Sequence, residues 1–297
     1  MNEFKNHLEE KIQKNRPNIK ASSIKTYISC LTNLIKKMEG EYDMKFFNNT
    51  KKILDYLEEK SSVQRKTCLS ALYILTENEE FQKPMLEDIK KVNDDYKEQK
   101  KNLKETENWI SQEDLFAMYN TYLQNANKIL KKKELTSNDI IELQRFFILA
   151  FLGGFYFPPR RSQDFTELKL KNFNKDEDNY YLKGSLYFNI YKTSKSFGEQ
   201  TIKLPEELDK MIKKYMKLVN NDYFFFNPKT EKKFTSPNIT QLINGIFGKK
   251  VSTNMLRHIY LSNKYKDVPA LKEMEKTAQA MGHEVLTSLM MYVKNEK

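Results

Sequence analysis

Apolar residues recur at steps of three and four positions in the first part of the chain, which is the spacing of one face of a helix. The clearest such stripe consists of Ile24, Tyr27, Ile28, Leu31, Leu34, Ile35 and Met38. Ser22 or Ser23 is expected to cap this helix, because a serine side chain accepts a hydrogen bond from the first turn. Two further amphipathic segments follow at 53–57 and 63–75. We therefore predict an all-helical domain over residues 1–85.

The segment 86–108 has a different character, since lysines alternate with acidic residues and few apolar positions remain. That pattern predicts a charged linker with helical structure only at its start. Ser111 and Asp114 then form a capping arrangement ahead of an apolar helix. A second domain is therefore expected over residues 109–297.

The second domain shows both helical and strand periodicities. Its longest apolar run, 146–157, predicts a buried helix and is too short to cross a bilayer. Residues 185–191 alternate with a period of two, which predicts a strand, and 192–198 and 200–204 supply the turn and the returning strand. Ser236 and Pro237 are expected to cap and begin another helix. The predicted fold class is mainly α with a small antiparallel β-sheet.

The composition narrows the choice of partner. The 297-residue chain carries a formal net charge of +11, which favours a polyanion such as DNA, because lysines that displace counterions supply sequence-independent affinity. The alternative is a generic basic protein of an AT-rich genome, since the chain is rich in Lys, Asn, Ile and Tyr and holds only 8 Gly. Cys30 and Cys68 stand among apolar neighbours and are interpreted as buried free thiols. The N-terminus shows no apolar signal core and the chain shows no zinc spacing, so we expect a soluble intracellular protein without cofactor or metal.

Short motifs in the second domain carry the candidate chemistry. The first is Arg161 with Asp164 three positions later and Leu168 seven positions later; the second holds Asn254, Arg257 and His258; the third is Gly282-His283, with Tyr292 nine residues after the histidine. Arginine suits a phosphodiester because its planar fork donates two hydrogen bonds to phosphate and stays charged at any working pH. A phenol can attack the phosphorus and keep the energy of the broken bond in a tyrosyl ester.

These motifs together resemble those of the tyrosine recombinase (phage integrase) family. That family pairs an Arg-x-x-Asp/Glu-x-x-x-Leu box with a His-x-x-Arg box, a Gly-His box and a terminal nucleophilic tyrosine. The resemblance covers residues 110–294 by motif, and residues 1–105 only by layout. It implies a helical core-binding domain ahead of a mixed α/β catalytic domain. The implied activity is that of a site-specific recombinase or integrase, which cuts and rejoins DNA through a 3′-phosphotyrosyl intermediate without metal or ATP.

The resemblance also implies roles for individual residues. Arg161 and Arg257 would hold the phosphate, and Asp164 would orient the Arg161 guanidinium. His283 would hydrogen-bond the phosphate or assist proton transfer, and Tyr292 would be the nucleophile. The alternative for Tyr292 is a core aromatic on the last helix, and only its spacing from His283 separates the two.

Three positions fit the family pattern less well. Asn254 stands where the family usually has histidine and sometimes lysine, and an amide can donate a hydrogen bond but cannot titrate near neutral pH. His258 is interpreted as either structural or functional. The family's general acid is a lysine on a hairpin turn; Lys192 matches that place better, and Lys195 is the reserve.

The expected partner is double-stranded DNA, on which a homo-oligomer, a tetramer in this family, would assemble from monomers. The lysine- and asparagine-rich composition suits a virus or mobile element of an AT-rich host. Two other functions stay open: a type IB topoisomerase or telomere resolvase, which shares the chemistry, and an integrase descendant that binds DNA with weakened catalysis. A metal-dependent nuclease would need clustered carboxylates, and no such cluster stands out in the sequence.

Overall fold

The computed structural model describes the backbone of residues 2–292 and the side chains of residues 2–290. Over this range the chain is mainly helical with one small sheet, so the predicted fold class is confirmed. By its contacts it divides into two compact units. The first comprises the described residues of 1–100 and of 269–297, and the second comprises Lys101–Val268.

The helices and strands follow one another along the chain with short connections. The helices are α1 (Asn2–Asn15), α2 (Ala21–Lys37), α3 (Thr50–Glu58), α4 (Ser62–Thr76), α5 (Glu79–Lys97), α6 (Leu103–Asn108), α7 (Gln112–Ile129), α8 (Ser137–Leu152), α9 (Ser162–Thr166), α10 (Ser194–Phe197), α11 (Glu206–Leu218), α12 (Ser236–Phe247), α13 (Thr253–Lys264), α14 (Leu271–Ala280) and α15 (Val285–Thr287). A 3-10 helix spans Met44–Asn48, and a π-helical turn, Ser288–Tyr292, follows α15. The strands are β1 (Leu168–Lys169), β2 (Asn179–Leu182), β3 (Ser185–Phe188) and β4 (Gln200–Lys203). Among the helices of the described residues, none is both long enough and apolar enough to cross a bilayer.

The first unit is built from helices whose apolar faces meet in one core. Five residues of the predicted stripe on α2 are buried, and the other two pack partly exposed against them. The amphipathic segments at 53–57 and 63–75 form α3 and α4, as expected. The predicted serine cap is wrong: α2 begins at Ala21, and its capping position is Lys20, which makes no side-chain cap. Local propensity therefore predicted approximately where α2 begins, but not which residue occupies its capping position.

The predicted linker over 86–108 is largely helical, because α5 continues to Lys97 and α6 follows. The end of α5 is held by contacts that the sequence pattern does not contain. Lys97 forms an ion pair with Glu275 at 3.0 Å, and the backbone N–H of Leu271 donates to Gln99 Oε1 at 2.8 Å. The described residues from 269 onward, which the sequence predicts to belong to the second domain, lie in the first unit by their contacts.

The second unit surrounds α8, which is buried along most of its length. The helix expected from the apolar run at 146–157 is confirmed only over 146–152, because α8 ends at Leu152 and the chain turns at Gly153 and Gly154. A cluster of aromatic rings forms the centre of the core. Phe151 stacks on Phe165 with ring centroids 5.2 Å apart and also contacts Phe224 at 5.2 Å. Phe165 belongs to α9, so this ring pair fixes the short helix that carries Asp164. Aromatic pairs of this kind add to the hydrophobic gain from burial.

The sheet has the strand order β1-β2-β3-β4. The hairpin from β3 to β4 is antiparallel, as predicted, with Ser185 opposite Lys203 and Phe188 opposite Gln200. The sheet as a whole is mixed, because β1 pairs parallel with β2. β3 ends at Phe188, earlier than the predicted residue 191, and part of the predicted turn forms the single helical turn α10.

Two predicted helix starts have different outcomes. Ser111 accepts a hydrogen bond from the Asp114 backbone N–H at 2.9 Å and caps α7, as expected. The cap of α12 lies one residue earlier than predicted. Thr235 occupies it, and its backbone N–H donates to Asn238 Oδ1 at 2.9 Å. Pro237 still stands in the first turn of that helix, where its missing N–H costs nothing.

Candidate active site

The first arginine motif sits where an extended segment enters α9. Pro158 and Pro159 precede it, and proline keeps the chain before it extended. Arg161 occupies the capping position of α9 with extended backbone angles, φ −76° and ψ 150°. Phe165 is buried and anchors α9 in the core. The backbone of Arg161 is therefore held in place, although its side chain is only half-buried.

Arg161 and Arg257 line the same pocket, although they are far apart in the sequence. The pocket has a volume of about 360 Å³. Its lining residues are Pro158, Pro159, Arg160, Arg161, Asp164, Tyr191, Thr193, Phe197, Gln200, Ile202 and Arg257. Three arginines against one carboxylate give this pocket an excess of positive charge, which suits a phosphate group.

The electrostatics of Arg257 reflect this crowding of cations. Burial lowers the pKa of Arg257 below its ordinary value, the charge of Arg161 lowers it further, and Asp164 acts in the opposite direction. A guanidinium has a pKa so high that it remains a cation near neutral pH despite such shifts. The two like charges therefore repel each other, and an anion bound in the pocket that both residues line would relieve this repulsion.

Asp164 is buried and does not pair with the arginine expected from the sequence. Its Oδ2 accepts a hydrogen bond from Arg160 Nε at 2.9 Å, whereas its Oδ1 has no hydrogen-bond partner among the described residues. Burial raises the pKa of Asp164, and the charges of Arg160, Arg161 and Arg257 act against that rise. Asp164 thus contacts one guanidinium directly and influences the other two through the electric field.

Arg160 is the pocket residue that sequence reasoning passed over, because the register of the motif pointed to its neighbour. Its Nη1 donates to Gln200 Oε1, and its guanidinium carbon lies 4.1 Å from the ring centroid of Phe188 and 4.8 Å from that of Tyr191. Its side chain is 14% exposed. The four-residue spacing from Asp164 on a helix start was the available signal for this pairing.

Lys192 and Lys195 both lie on the connection from β3 to β4, and both are exposed. Lys195 belongs to α10, and Lys192 precedes that turn. Thr193, between them, is a lining residue of the pocket. The connection that carries both candidate lysines therefore borders the arginine pocket at Thr193.

The second motif lies at the start of α13. Ser252 caps this helix by accepting from the Met255 backbone N–H, and Asn254 is exposed on its first turn. Asn254 Oδ1 accepts a long hydrogen bond of 3.5 Å from Arg257 Nη1. The amide at this position thus contacts the arginine that lines the pocket.

His258 makes a contact outside the pocket lining. Its Nδ1 lies 2.6 Å from Glu105 Oε1 of α6, and its side chain is 55% exposed. The backbone hydrogen bond from Asn102 is the main cause that lowers the pKa of Glu105, and His258 lowers it further. This arrangement favours the structural interpretation of His258.

His283 and Tyr292 lie in the part of the first unit that follows α14. Gly282 has a φ of +77°, a conformation in which glycine is free of strain. The His283 backbone N–H donates to Ala278 O at 3.0 Å, and its Nδ1 lies 3.1 Å from Ser288 Oγ. Tyr292 ends the π-helical turn by its backbone, and its side chain lies outside the described residues.

The sequence matches no protein-family model and no curated protein. The structure is similar to the crystal structure of XerA recombinase with a TM-score of 0.33 and 16% sequence identity, over 99% of this chain and 94% of that one. A likeness at this level carries no argument about what the chain does. Among the described residues, no group of three His, Cys, Asp or Glu side chains is placed to hold a metal ion.

Proposed function

We propose that the chain is a site-specific DNA recombinase of the tyrosine type, acting on double-stranded DNA. The observation that carries the proposal is the meeting of Arg161 and Arg257 in one positively charged pocket. Two guanidinium groups can bind both non-bridging oxygens of a phosphodiester, and they stabilise the charge that develops there in the transition state.

The proposed reaction breaks one bond and forms one. The phenolic oxygen of Tyr292 attacks the phosphorus, and the bond to the 5′-oxygen breaks. Lys192 gives a proton to the leaving 5′-oxygen, with Lys195 as the alternative donor. The phenol proton passes to a base, for which His283 is the candidate. The product is a 3′-phosphotyrosyl ester, from which the reverse attack by a 5′-hydroxyl rejoins DNA without an external energy source.

A suicide substrate tests the nucleophile. DNA nicked close to the cleavage position releases a short fragment, so a cleaving enzyme remains covalently attached and survives denaturation. The native chain is expected to form this complex, and Tyr292→Phe is not. Tyr265→Phe is the matched control, because Tyr265 is 57% exposed at the C-terminal cap of α13 and stands outside the pocket lining. Covalent trapping by Tyr292→Phe would contradict the assignment.

The arginines are expected to act on the transition state more than on binding. Arg161→Ala or Arg257→Ala should lower cleavage by about 100-fold or more, while DNA affinity, spread over many lysines, should change little. Gel-shift titration and single-turnover cleavage on the same DNA separate the two effects. A parallel loss of binding and cleavage would make both residues ordinary DNA contacts.

Asn254 supports a second candidate, an integrase descendant with weakened catalysis. The Asn254 amide, which does not titrate, contacts Arg257. The tyrosine recombinase family, which these motifs resemble, usually has a titratable histidine or lysine at this position. If the site is weakened in this way, Asn254→His should raise the cleavage rate above that of the native chain. Relaxation of a supercoiled plasmid that carries no specific site would instead favour a type IB topoisomerase.

We also propose that the chain is a monomer in free solution and assembles into a tetramer on DNA. The exposed apolar side chains of Leu286, Leu289 and Met290 are a surface that we expect to dock on a neighbouring subunit once DNA holds the monomers together. Sedimentation of DNA-free protein at micromolar concentration tests this, and a stable tetramer there would overturn it.

A further inference from the structure

The connection between β3 and β4 is tied to α9 by one buried amide. Asn179 of β2 is fully buried. Its Oδ1 accepts from the backbone N–H groups of Asn189 at 2.9 Å and Ile190 at 2.7 Å. Its Nδ2 donates to the carbonyl of Ile190 at 2.8 Å and to the carbonyl of Asp164 at 2.9 Å. One side chain therefore joins the helix of the arginine motif to the segment that leads into Lys192.

A second tie reaches the same connection from the pocket. The Arg160 guanidinium donates to Asp164 on α9 and to Gln200, the first residue of β4, and it lies over the ring of Tyr191. Tyr191 directly precedes Lys192, and its hydroxyl donates to the Gly198 carbonyl at 2.6 Å. Arg160 thus contacts both ends of the connection.

The chemistry of Arg160 argues against a purely structural role. Taking a pair of charges out of water is costly, and replacing both partners by apolar side chains of similar volume is often neutral or stabilising, so stability alone does not account for the pair of Arg160 with Asp164. A planar guanidinium, in contrast, can hold a carboxylate, an amide and an aromatic ring in one fixed arrangement. We therefore attribute to Arg160 the fixed arrangement of these groups at the edge of the pocket.

We propose that Arg160 and Asn179 are positioning residues that hold the Lys192-bearing connection in register with Arg161 and Arg257. The inference rests on the proposed function, since proton delivery to the 5′-oxygen is the step that depends on this register. A general acid must lie within hydrogen-bond reach of the atom that it protonates. Lys192 is exposed, so the course of its backbone decides where the ammonium group can reach.

Two DNA substrates separate this role from a general one. In the first the leaving atom is the normal 5′-oxygen, and in the second it is sulfur, which departs as a thiolate without a proton. Arg160→Met should slow cleavage of the oxygen substrate by about 100-fold, the order of a general-acid contribution, and should slow the sulfur substrate far less. Lys192→Ala should show the same selectivity, and adding Arg160→Met to it should cost little more.

The controls distinguish the possible failures. Arg145→Met removes a part-buried arginine of the same unit, paired with Glu142 at 2.6 Å and outside the pocket lining, and should show no preference between substrates. Asn179→Asp keeps the two acceptor contacts and loses the two donated bonds, so it should share the selectivity of Arg160→Met. Circular dichroism checks that Asn179→Asp folds. If that variant does not fold, the two substrates with Arg160→Met alone still test the proposal.

Three results would overturn the proposal. An equal loss of both substrates in Arg160→Met, while the native chain cleaves both, would overturn the positioning role alone. Losses that multiply fully in the double variant with Lys192→Ala would do the same. A native chain that cleaves neither substrate would remove the proposed function and the positioning role together.

Discussion

The ion pair between α4 and α5 gives a prediction that is independent of the proposed function. Asp88 is 1% exposed, and both of its oxygens are bonded to Arg65: Nε to Oδ2 at 2.6 Å and Nη2 to Oδ1 at 2.7 Å. Removing one partner of a buried pair costs about 3–5 kcal/mol, because the other charge is left uncompensated. The Arg65 side chain is 26% exposed, so water can recover part of this loss. Asp88→Asn should therefore destabilise the first unit by about 2 kcal/mol.

Hydrogen exchange is the suitable assay, because a chain of two units need not unfold in one step. A loss of about 2 kcal/mol corresponds to roughly 30-fold faster exchange of the best-protected amides in α4 and α5. The exposed pair of Glu206 with Lys210 is the control, and Glu206→Gln should leave exchange unchanged. An exchange rate for Asp88→Asn that differs from the native rate by less than twofold would refute the argument.

Four further predictions follow from individual contacts. Burial raises the pKa of Asp164, so the contribution of its protonated form to stability is full below about pH 4 and is lost as the pH rises through the folded-state pKa. In urea titrations, the free energy of unfolding of Asp164→Asn should therefore rise relative to that of the native chain as the pH approaches neutrality. Phe151→Ala should cost about 3–5 kcal/mol in the same titrations, since its ring is fully buried. Thr136→Ala removes the capping box of α8 and should cost about 1 kcal/mol, measured as a lower urea midpoint. A hydrogen bond between the thiols of Cys30 and Cys68 lowers the pKa of Cys30. Diamide, a two-electron oxidant, should join them in a disulfide, seen as a loss of two hydrogen atoms in the intact mass.

Periodicity predicted the elements that bury one face against a core. The stripe on α2, the apolar run in α8 and the alternation in β3 each repeat often enough to define a period. β1 was missed because it is only two residues long, and β2 because its first three residues are all buried, so no alternation of buried and exposed positions marks it. The charged segment at 86–108 was assigned to a linker, whereas contacts with residues from 269 onward hold the end of α5 as a helix. Such long-range contacts leave no periodic trace in the local sequence.

For the candidate site, the resemblance of the motifs to a known family predicted that Arg161 and Arg257 act together, and the structure brings both to one pocket. The pairing of Asp164 with Arg160 was not predictable in the same way. It depends on how the chain enters α9 after two prolines, and on the rings and the amide that surround the Arg160 guanidinium. Spacing along the chain identifies residue types, but the direction of a side chain is decided by its packing.

Asn179 also limits how far related sequences can diverge. Its two donated and two accepted hydrogen bonds are all made to backbone groups, so they do not depend on the identity of the neighbouring side chains. Aspartate would lose both donated bonds, and leucine would leave four backbone groups, most of them only partly buried, without these partners. Neighbouring positions can therefore change while asparagine is retained here. In distant relatives, an asparagine about 15 residues after the motif aspartate, as Asn179 follows Asp164, would be a more durable mark of common ancestry than overall identity.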